Sequence, residues 1–459
     1  MRTHRKTKKK DVIQEWLAAQ MDAILLYGTF GLLMFGPLAF GAVEPWSTFI
    51  LEAGAVLLTL LWLRKQWMAG ALTIEKNALF LPMAVFGLLI LGQLVLPGAS
   101  AYRHDTVSGA LLYCAYAMLC FLSSQMLLRS SQARTIAVAL GVFGFAIAAF
   151  SLLQGVAPNG KLYWLRQPTM GGAIYGPYVN HNHYAGLMEL LIPIPLVLSL
   201  SRLANDKQRI AAGIAAAIMV ATVFLSASRG GMIAIFVELV VLGVILLGHR
   251  VDFVGRRRGV RMAVNAAAFL VVLVSLLTWL GGRQLISRVS SISTETHTEL
   301  SGGMRLSIDK DALRMFQHKP VLGWGLGTFP TVYPQFRSFY TNFFVNEAHN
   351  DYLQLLCEMG FLGFATMVWF QIVLYRRAFS KIKNWMSEVS GAFTLACILG
   401  TTGILVHSLL DFNLQIPANA ALFYVFCTLA AAPPLLQRAR KRRPVSSEEE
   451  QVFPASEVV

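Results

Sequence analysis

Apolar stretches of about eighteen or more residues recur from one end of the chain to the other, each long enough to cross roughly 30 Å of hydrocarbon as a helix. A helix satisfies its own backbone, so each such run can sit in lipid without unpaired polar groups. Of the 459 residues, 56% are hydrophobic and only 14% charged, a balance too apolar for a soluble globule of this size. Strand-like alternation is absent, which argues against a barrel. The expected fold class is all-α: a polytopic transmembrane bundle of about 12 helices with one long extracytoplasmic loop that contains a short amphipathic helix.

Candidate spans run roughly 21 to 42, 46 to 63, 78 to 97, 108 to 128, 135 to 157, 184 to 201, 209 to 226, 230 to 248, 262 to 281, 350 to 374, 390 to 410 and 418 to 436. The formal charge of +15 would suggest a nucleic-acid partner in a soluble protein, but its distribution argues otherwise. With a cytoplasmic N-terminus, the inner side holds the Arg2 to Lys10 cluster, Arg64, Lys65, Lys76, Arg129, Arg134, Arg202, Lys207 and Arg209. It also holds the Arg250 to Arg261 cluster, Arg376, Arg377, Lys381, Lys383 and the Arg438 to Arg443 cluster. The outer side keeps only Arg103, Lys161, Arg166, Arg229 and the residues between Arg283 and Arg337. A missed or extra helix would put the basic clusters outside, so the count of twelve and the charge pattern stand together.

The resulting organisation is a basic cytoplasmic tail over 1–20, transmembrane helices one to nine over 21–281, an extracytoplasmic loop over 282–349, helices ten to twelve over 350–437 and a disordered cytoplasmic tail over 438–459. The basic start leads into a full-length span without a small-residue cleavage site, and reads as a retained tail. Cys114, Cys120, Cys357, Cys397 and Cys427 all fall in apolar segments, which makes a disulfide framework or a zinc module improbable.

Four outward-facing places carry residues with chemistry. Asn180, His181, Asn182, His183 and Tyr184 stand at the mouth of the sixth span; two His at i and i+2 diverge on a helix, so interfacial capping competes with metal binding. The hairpin Ser226 to Gly231 holds Arg229, whose five fixed donors suit a phosphate and whose neighbouring glycines allow close backbone approach. The bland alternative is a snorkelling arginine.

In the long loop, Met304, Ile308, Ala312 and Met315 repeat at helical spacing and predict an amphipathic helix lying along the membrane surface. Arg305 on it either reaches a lipid phosphate or pairs with Asp309 one turn on. Asp309 and Asp311 point apart on a helix, so a carboxylate metal pair is disfavoured there. Glu347 to Tyr352 precede the tenth span, with Gln354 and Glu358 one and two turns in. As an imidazole, His349 could be oriented as a general base by Asp351 or Glu358. The polar run His407 to Asn413 ends the eleventh span, with Asp411 available to pair with an arginine.

Ser228-Arg229-Gly230-Gly231, the run Pro320 to Phe329 (PVLGWGLGTF) and Ala348 to Gln354 (AHNDYLQ) with Glu358 and Gly360 together resemble the O-antigen ligase and polymerase superfamily. The resemblance covers roughly residues 170 to 430. Asn180 to Ala185 and Asp411 to Pro417 (DFNLQIP) are similar to members serving exopolysaccharide or O-antigen, that is lipopolysaccharide, pathways.

The resemblance implies a glycosyltransferase of the bacterial plasma (inner) membrane, with both termini cytoplasmic and a periplasmic active site. Its donor would be a glycan on a polyprenyl diphosphate such as undecaprenyl diphosphate. Its acceptor would be a glycan, a lipid A core or a protein. It implies no cofactor and no divalent metal; membrane lipids and lipid-linked substrate are the partners, and no nucleic acid. Carried over by position, Arg229 and Arg305 match diphosphate-contacting arginines and His349 the base, with Asn180, His181, Asn182, Asp351, Tyr352, Glu358 and Asp411 expected to bind substrate.

General chemistry supports such a reaction. A diphosphate leaving group needs positive charge rather than a proton, and two guanidinium groups at a low-dielectric boundary supply it; the attacking hydroxyl needs a base. Polymerase and ligase differ only in acceptor, with a slight lean to polymerase from the Asp411 to Pro417 stretch. The competing class is a transporter or flippase of lipid-linked oligosaccharide, in which Glu189 and Glu238 would be proton-relay groups. A binding scaffold without chemistry is the third reading.

Overall fold

The computed structural model describes residues 2–168, 174–248, 302–341 and 344–436. Every regular element among them is helical. The helices are α1 (Arg2–Leu38), α2 (Pro45–Ala69), α3 (Phe80–Val95), α4 (Arg103–Met126), α5 (Ser130–Val156), α6 (His181–Leu191), α7 (Pro193–Leu200), α8 (Asp206–Ser226) and α9 (Arg229–Gly248). They continue with α10 (Gly302–His318), α11 (Phe329–Val332), α12 (Asp351–Lys381), α13 (Val389–His407) and α14 (Pro417–Ala431).

Nine helical stretches among the described residues are long and apolar enough to cross a membrane: Trp16–Leu38, Pro45–Ala69, Arg103–Met126, Ser130–Val156, His181–Leu200, Asp206–Ser226, Arg229–Leu247, Asp351–Asn384 and Val389–His407. Phe80–Val95 and Pro417–Ala431 are shorter apolar helices that occupy the third and twelfth expected positions. The expected span at 262 to 281, the Arg250 to Arg261 cluster and the tail from 438 lie outside the described residues. The chain is a multi-pass helical membrane protein, and its large outward side chains, such as Phe49, Leu57, Leu88, Phe236 and Leu247, form the apolar surface that lipid requires.

Backbone and side-chain contacts sort the helix ends into two groups. At the first end, Tyr163 donates to Leu38 O (2.7 Å), Arg166 pairs with Glu44 (2.9 Å) and Ala101 N donates to Trp324 O (2.7 Å). At the second, Glu75 N meets Gln125 Oε1 (2.8 Å), Asn77 meets Thr428 O (2.9 Å), Ser130 N meets Leu436 O (3.0 Å) and Arg202 N meets Met386 O (2.6 Å). These pairings are the ones an alternating up-and-down path demands. The core gathers round α6–α7, whose span is 83% buried, and α13, at 72%, whereas α2 at 22% is peripheral. α14 is buried along its whole length.

Two adaptations shape the first end. Pro193 and Pro195 lack the amide donors that would bond back into the preceding turn, and the sixth span accordingly passes from α6 to α7 at Ile192. Within α12, Gly360 takes φ 64°, ψ −168° and interrupts the helix. The polar groups freed at the break are taken by the Pro320 to Gly325 segment: Phe361 N donates to Pro320 O (2.7 Å), Leu362 N to Val321 O (3.2 Å), Trp324 N to Cys357 O (2.9 Å) and Gly325 N to Glu358 O (3.0 Å). A broken helix at membrane depth survives only when protein satisfies it in this way.

A Cβ on Gly360 would stand 2.3 Å from Val321 O, and one on Gly323 (φ 71°) 2.4 Å from the Glu358 carbonyl carbon. Gly360→Ala is therefore expected to destabilise the protein by about 1–3 kcal/mol from backbone strain and the clash. Thermal melting of the detergent-solubilised protein checks this, and an unchanged midpoint would contradict it.

The amphipathic helix is α10, as the spacing predicts, but its apolar face does not lie on lipid. Ile308, Ala312 and Met315 are fully buried against Phe329, Val332, Tyr333, Val345, Ala348 and Cys357, and Cys357 Sγ reaches Ala312 O at 3.1 Å. Helical periodicity shows that one face must be covered; here the first turns of α12 together with Phe329, Val332, Tyr333, Val345 and Ala348 cover it.

Candidate active site

The centre of the first end is Asp411, just beyond α13. The turn that carries it is closed by Leu410 N and Asp411 N donating to His407 O at 2.8 and 3.0 Å. The side chain is 1% exposed. Asn182 Nδ2 donates to Oδ2 at 2.5 Å, Phe412 N to Oδ1 at 2.9 Å, and His349 Nδ1 lies 3.5 Å from Oδ1. Arg305 Nη1 lies 3.7 Å from Oδ2 and donates to Leu410 O at 2.8 Å. Burial alone would raise the Asp411 pKa, but the His349 contact and the Arg305 charge outweigh it and hold the carboxyl well below the usual range.

Arg305 and His349 arrive by different routes. α10 docks by its apolar face, and Arg305, on the turn beside that face, thereby reaches over the end of α13. His349 sits just before α12 with φ 55°, left-handed backbone that a non-glycine residue adopts at a cost. Both sides of it are held: Asn350 Oδ1 caps α12 by accepting from Tyr352 N and Leu353 N, and Ala348 N donates to Gln354 Oε1 at 2.9 Å. Its ring meets the Phe412 ring edge-on at 4.8 Å and 80°, while His183 meets the same ring at 4.7 Å and 71°. Phe412 and the Leu410 carbonyl have no distinctive sequence signal, and only the fold reveals them.

Arg229 starts α9 at the same end, exposed, with no hydrogen bond or ion pair to the described residues. Its hairpin is tied to the cluster through His181 Nδ1, 2.7 Å from Ser226 O, and through Asn182 on Asp411. Gly230 and Gly231 are explained by protein neighbours. A Cβ on Gly230 would come within 2.4 Å of His407 Nε2, and one on Gly231 within 2.6 Å of the Ala185 Cβ.

The other expected site residues divide. Asn180 caps α6 by accepting from Asn182 N at 2.9 Å. Neither Asp351 nor Glu358 orients His349; that partner is Asp411, which the sequence offered only to an arginine. Asp351 accepts from Ser408 Oγ (2.7 Å), Leu414 N (3.1 Å) and Gln415 (3.2 Å), holding the 408–415 turn. Glu358 accepts from Gly327 N (2.9 Å) and Phe329 N (3.2 Å), holding the glycine-rich turn. Tyr352 donates to Leu405 O at 2.7 Å.

Glu347 bonds Gln354, and burial followed by the nearby Glu358 charge raises its pKa well above the carboxylate range. Asp311 is consumed by Arg314, Ser338 and Tyr333, while Asp309 is pushed up by burial, with His349 and Arg305 opposing. Among the described residues no three His, Cys, Asp or Glu group as a metal site would need.

The arrangement offers an imidazole 3.5 Å from a buried carboxylate, a guanidinium on the same carboxylate and, at the same end, a second guanidinium without a partner among the described residues. Residues 214–368 match the sequence model of the O-antigen ligase family, a stretch that includes Arg229, Arg305 and His349. Over that third of the chain the protein is similar to the O-antigen ligase family. No curated protein matches the chain at a significant level.

Proposed function

We propose, from the match to the O-antigen ligase family, that the chain is a glycosyltransferase that moves a glycan from a polyprenyl diphosphate carrier to an acceptor sugar at the periplasmic face of the bacterial inner membrane. The observation that carries this reading is the meeting of Arg305 and His349 on one buried carboxylate, Asp411. In it, Arg229 and Arg305 take the diphosphate and neutralise the charge that grows as the anomeric bond breaks, the part a metal plays in many soluble transferases. His349 takes the proton of the attacking acceptor hydroxyl, which adds in line to the anomeric carbon while polyprenyl diphosphate leaves. Asp411 keeps the imidazole oriented and stabilises it once protonated. The basic segments at the second end favour that end as cytoplasmic, with both termini there.

The test is reconstitution of the purified chain in liposomes with a native lipid-linked repeat unit, in the presence of chelator. Single repeats becoming ladders mark a polymerase, the acceptor type that the Asp411 to Pro417 stretch favours; transfer of finished chains to lipid A core or protein marks a ligase. Unaltered donor under every acceptor overturns the reading. Arg229→Ala and Arg305→Ala are each expected to lower turnover by about 10²–10³-fold, the cost of losing one donor to a developing anion. Arg305→Lys, which keeps the charge but not the fork, is expected to recover only part of it. Turnover within a few-fold of wild type in the alanine variants would remove the arginines from the reaction.

A further inference from the structure

One buried imidazole and one buried carboxylate at the first end have no part in the reaction just described. His407, the last residue of α13, is 1% exposed, and its Nδ1 lies 2.7 Å from Oε1 of Glu189 on α6, which is fully buried. The hydrogen bond between Nδ1 and Oε1 fixes the plane of the ring. α6 comes this close to α13 because Gly400 carries no side chain: a Cβ there would stand 2.9 Å from Glu189 O.

The far edge of the His407 ring lies on Gly230, where a Cβ would fall 2.3 Å from Cδ2 and 2.4 Å from Nε2. Gly230 follows Arg229 directly. In the other direction, His407 O accepts from Leu410 N and Asp411 N at 2.8 and 3.0 Å, closing the turn whose Leu410 carbonyl and Asp411 carboxylate hold Arg305 and His349. One residue thus touches the Arg229 hairpin with its ring and shapes the Arg305 anchor with its backbone.

We propose that His407, locked by Glu189, is a positioning residue that sets the separation between the Arg229 hairpin and the Asp411 turn, and with it the width of the seat for a diphosphate. The proposal rests on the diphosphate reading given under Proposed function. Neither His407 nor Glu189 contacts substrate; both act through the arginines. Gly230 is the complementary half of the device, since any side chain there would displace the ring or the hairpin.

The experiment measures binding of undecaprenyl diphosphate and, as the phosphate-free control, undecaprenol to the full chain in detergent. Wild type binds the diphosphate more tightly. His407→Ala and Gly230→Ala each weaken diphosphate binding by about tenfold or more, as misplacement of a charged group by a fraction of an ångström to an ångström does. Undecaprenol binding stays unchanged, which a general structural defect would not allow.

The double variant Gly230→Ala with His407→Ala binds no more weakly than His407→Ala alone, because removing the ring makes room for the methyl group. Glu189→Gln, whose amide oxygen still accepts from Nδ1, stays near wild type, whereas Glu189→Ala falls with His407→Ala. Diphosphate binding by His407→Ala and Gly230→Ala indistinguishable from wild type overturns the proposal alone. So does a Glu189→Gln loss equal to that of Glu189→Ala, which would mean that the pair acts through its charge. A wild type that fails to discriminate the diphosphate from the alcohol overturns the diphosphate reading itself. Should His407→Ala fail to fold, Gly230→Ala and Glu189→Gln decide the matter.

Discussion

Turnover of a lipid-linked repeat unit by His349→Ala is expected to fall by about 10²–10⁴-fold, the range over which a positioned base contributes, while binding of the polyprenyl diphosphate persists. The expectation follows from the division of labour at Asp411. Arg305 reaches Leu410 O and Asp411 without passing through His349, so removing the imidazole leaves the guanidinium anchored. Donor binding and single-turnover transfer, measured on the same protein, separate the two effects. Binding lost along with transfer would make His349 part of the donor seat; transfer within tenfold of wild type would mean that some other group takes the proton.

Asp411→Ala is expected to be more damaging, because it removes the common partner of three side chains. Arg305, 28% exposed, would lose its counter-charge, His349 the carboxylate beside its Nδ1, and Asn182 Nδ2 its acceptor. Stripping one member from a fully buried ion pair costs about 3–5 kcal/mol; partial exposure of Arg305 lowers the expected loss to about 2–4 kcal/mol of stability. Turnover should fall at least as far as in His349→Ala, with donor binding lost as well. A melting midpoint and donor affinity equal to those of wild type would show that the carboxylate holds neither side chain.

The linked pH behaviour has a definite sign. The folded pKa of Asp411 lies well below its unfolded value, so its contribution is fully present above the unfolded pKa of about 3.9. It is lost only as pH falls through the depressed folded value. Acid unfolding of wild type should accordingly gain no component from Asp411 above about pH 4.

Much of this organisation could be read along the chain, for identifiable reasons. Span positions follow from uninterrupted apolar runs, and helix α10 from the spacing of Met304, Ile308, Ala312 and Met315. Arg305 and His349 were identifiable by chemical type and motif, and Asp411 as a carboxylate in want of an arginine. What covers a face, and which carboxylate meets which base, depend on residues far apart in sequence. His349 lies next to Asp351 in the chain, yet Asp351 is drawn to Ser408 and Leu414 while Asp411 comes from the following hairpin. The glycine pair after Arg229 carries the same lesson: residues read as allowing close backbone approach to a phosphate turn out to be clearance for His407 and Ala185.

The interruption of α12 at Gly360 has a mechanical consequence. Asp351 to Met359 on one side of it and Phe361 and Leu362 on the other are all fastened to the Pro320 to Phe329 segment, by backbone hydrogen bonds and by Glu358. Membrane helices answer changes in hydrocarbon thickness by tilting, at a small cost per ångström. With both sides of the break pinned to one loop segment, a tilt of α12 carries that segment, and the glycine-rich turn held by Glu358, along with it.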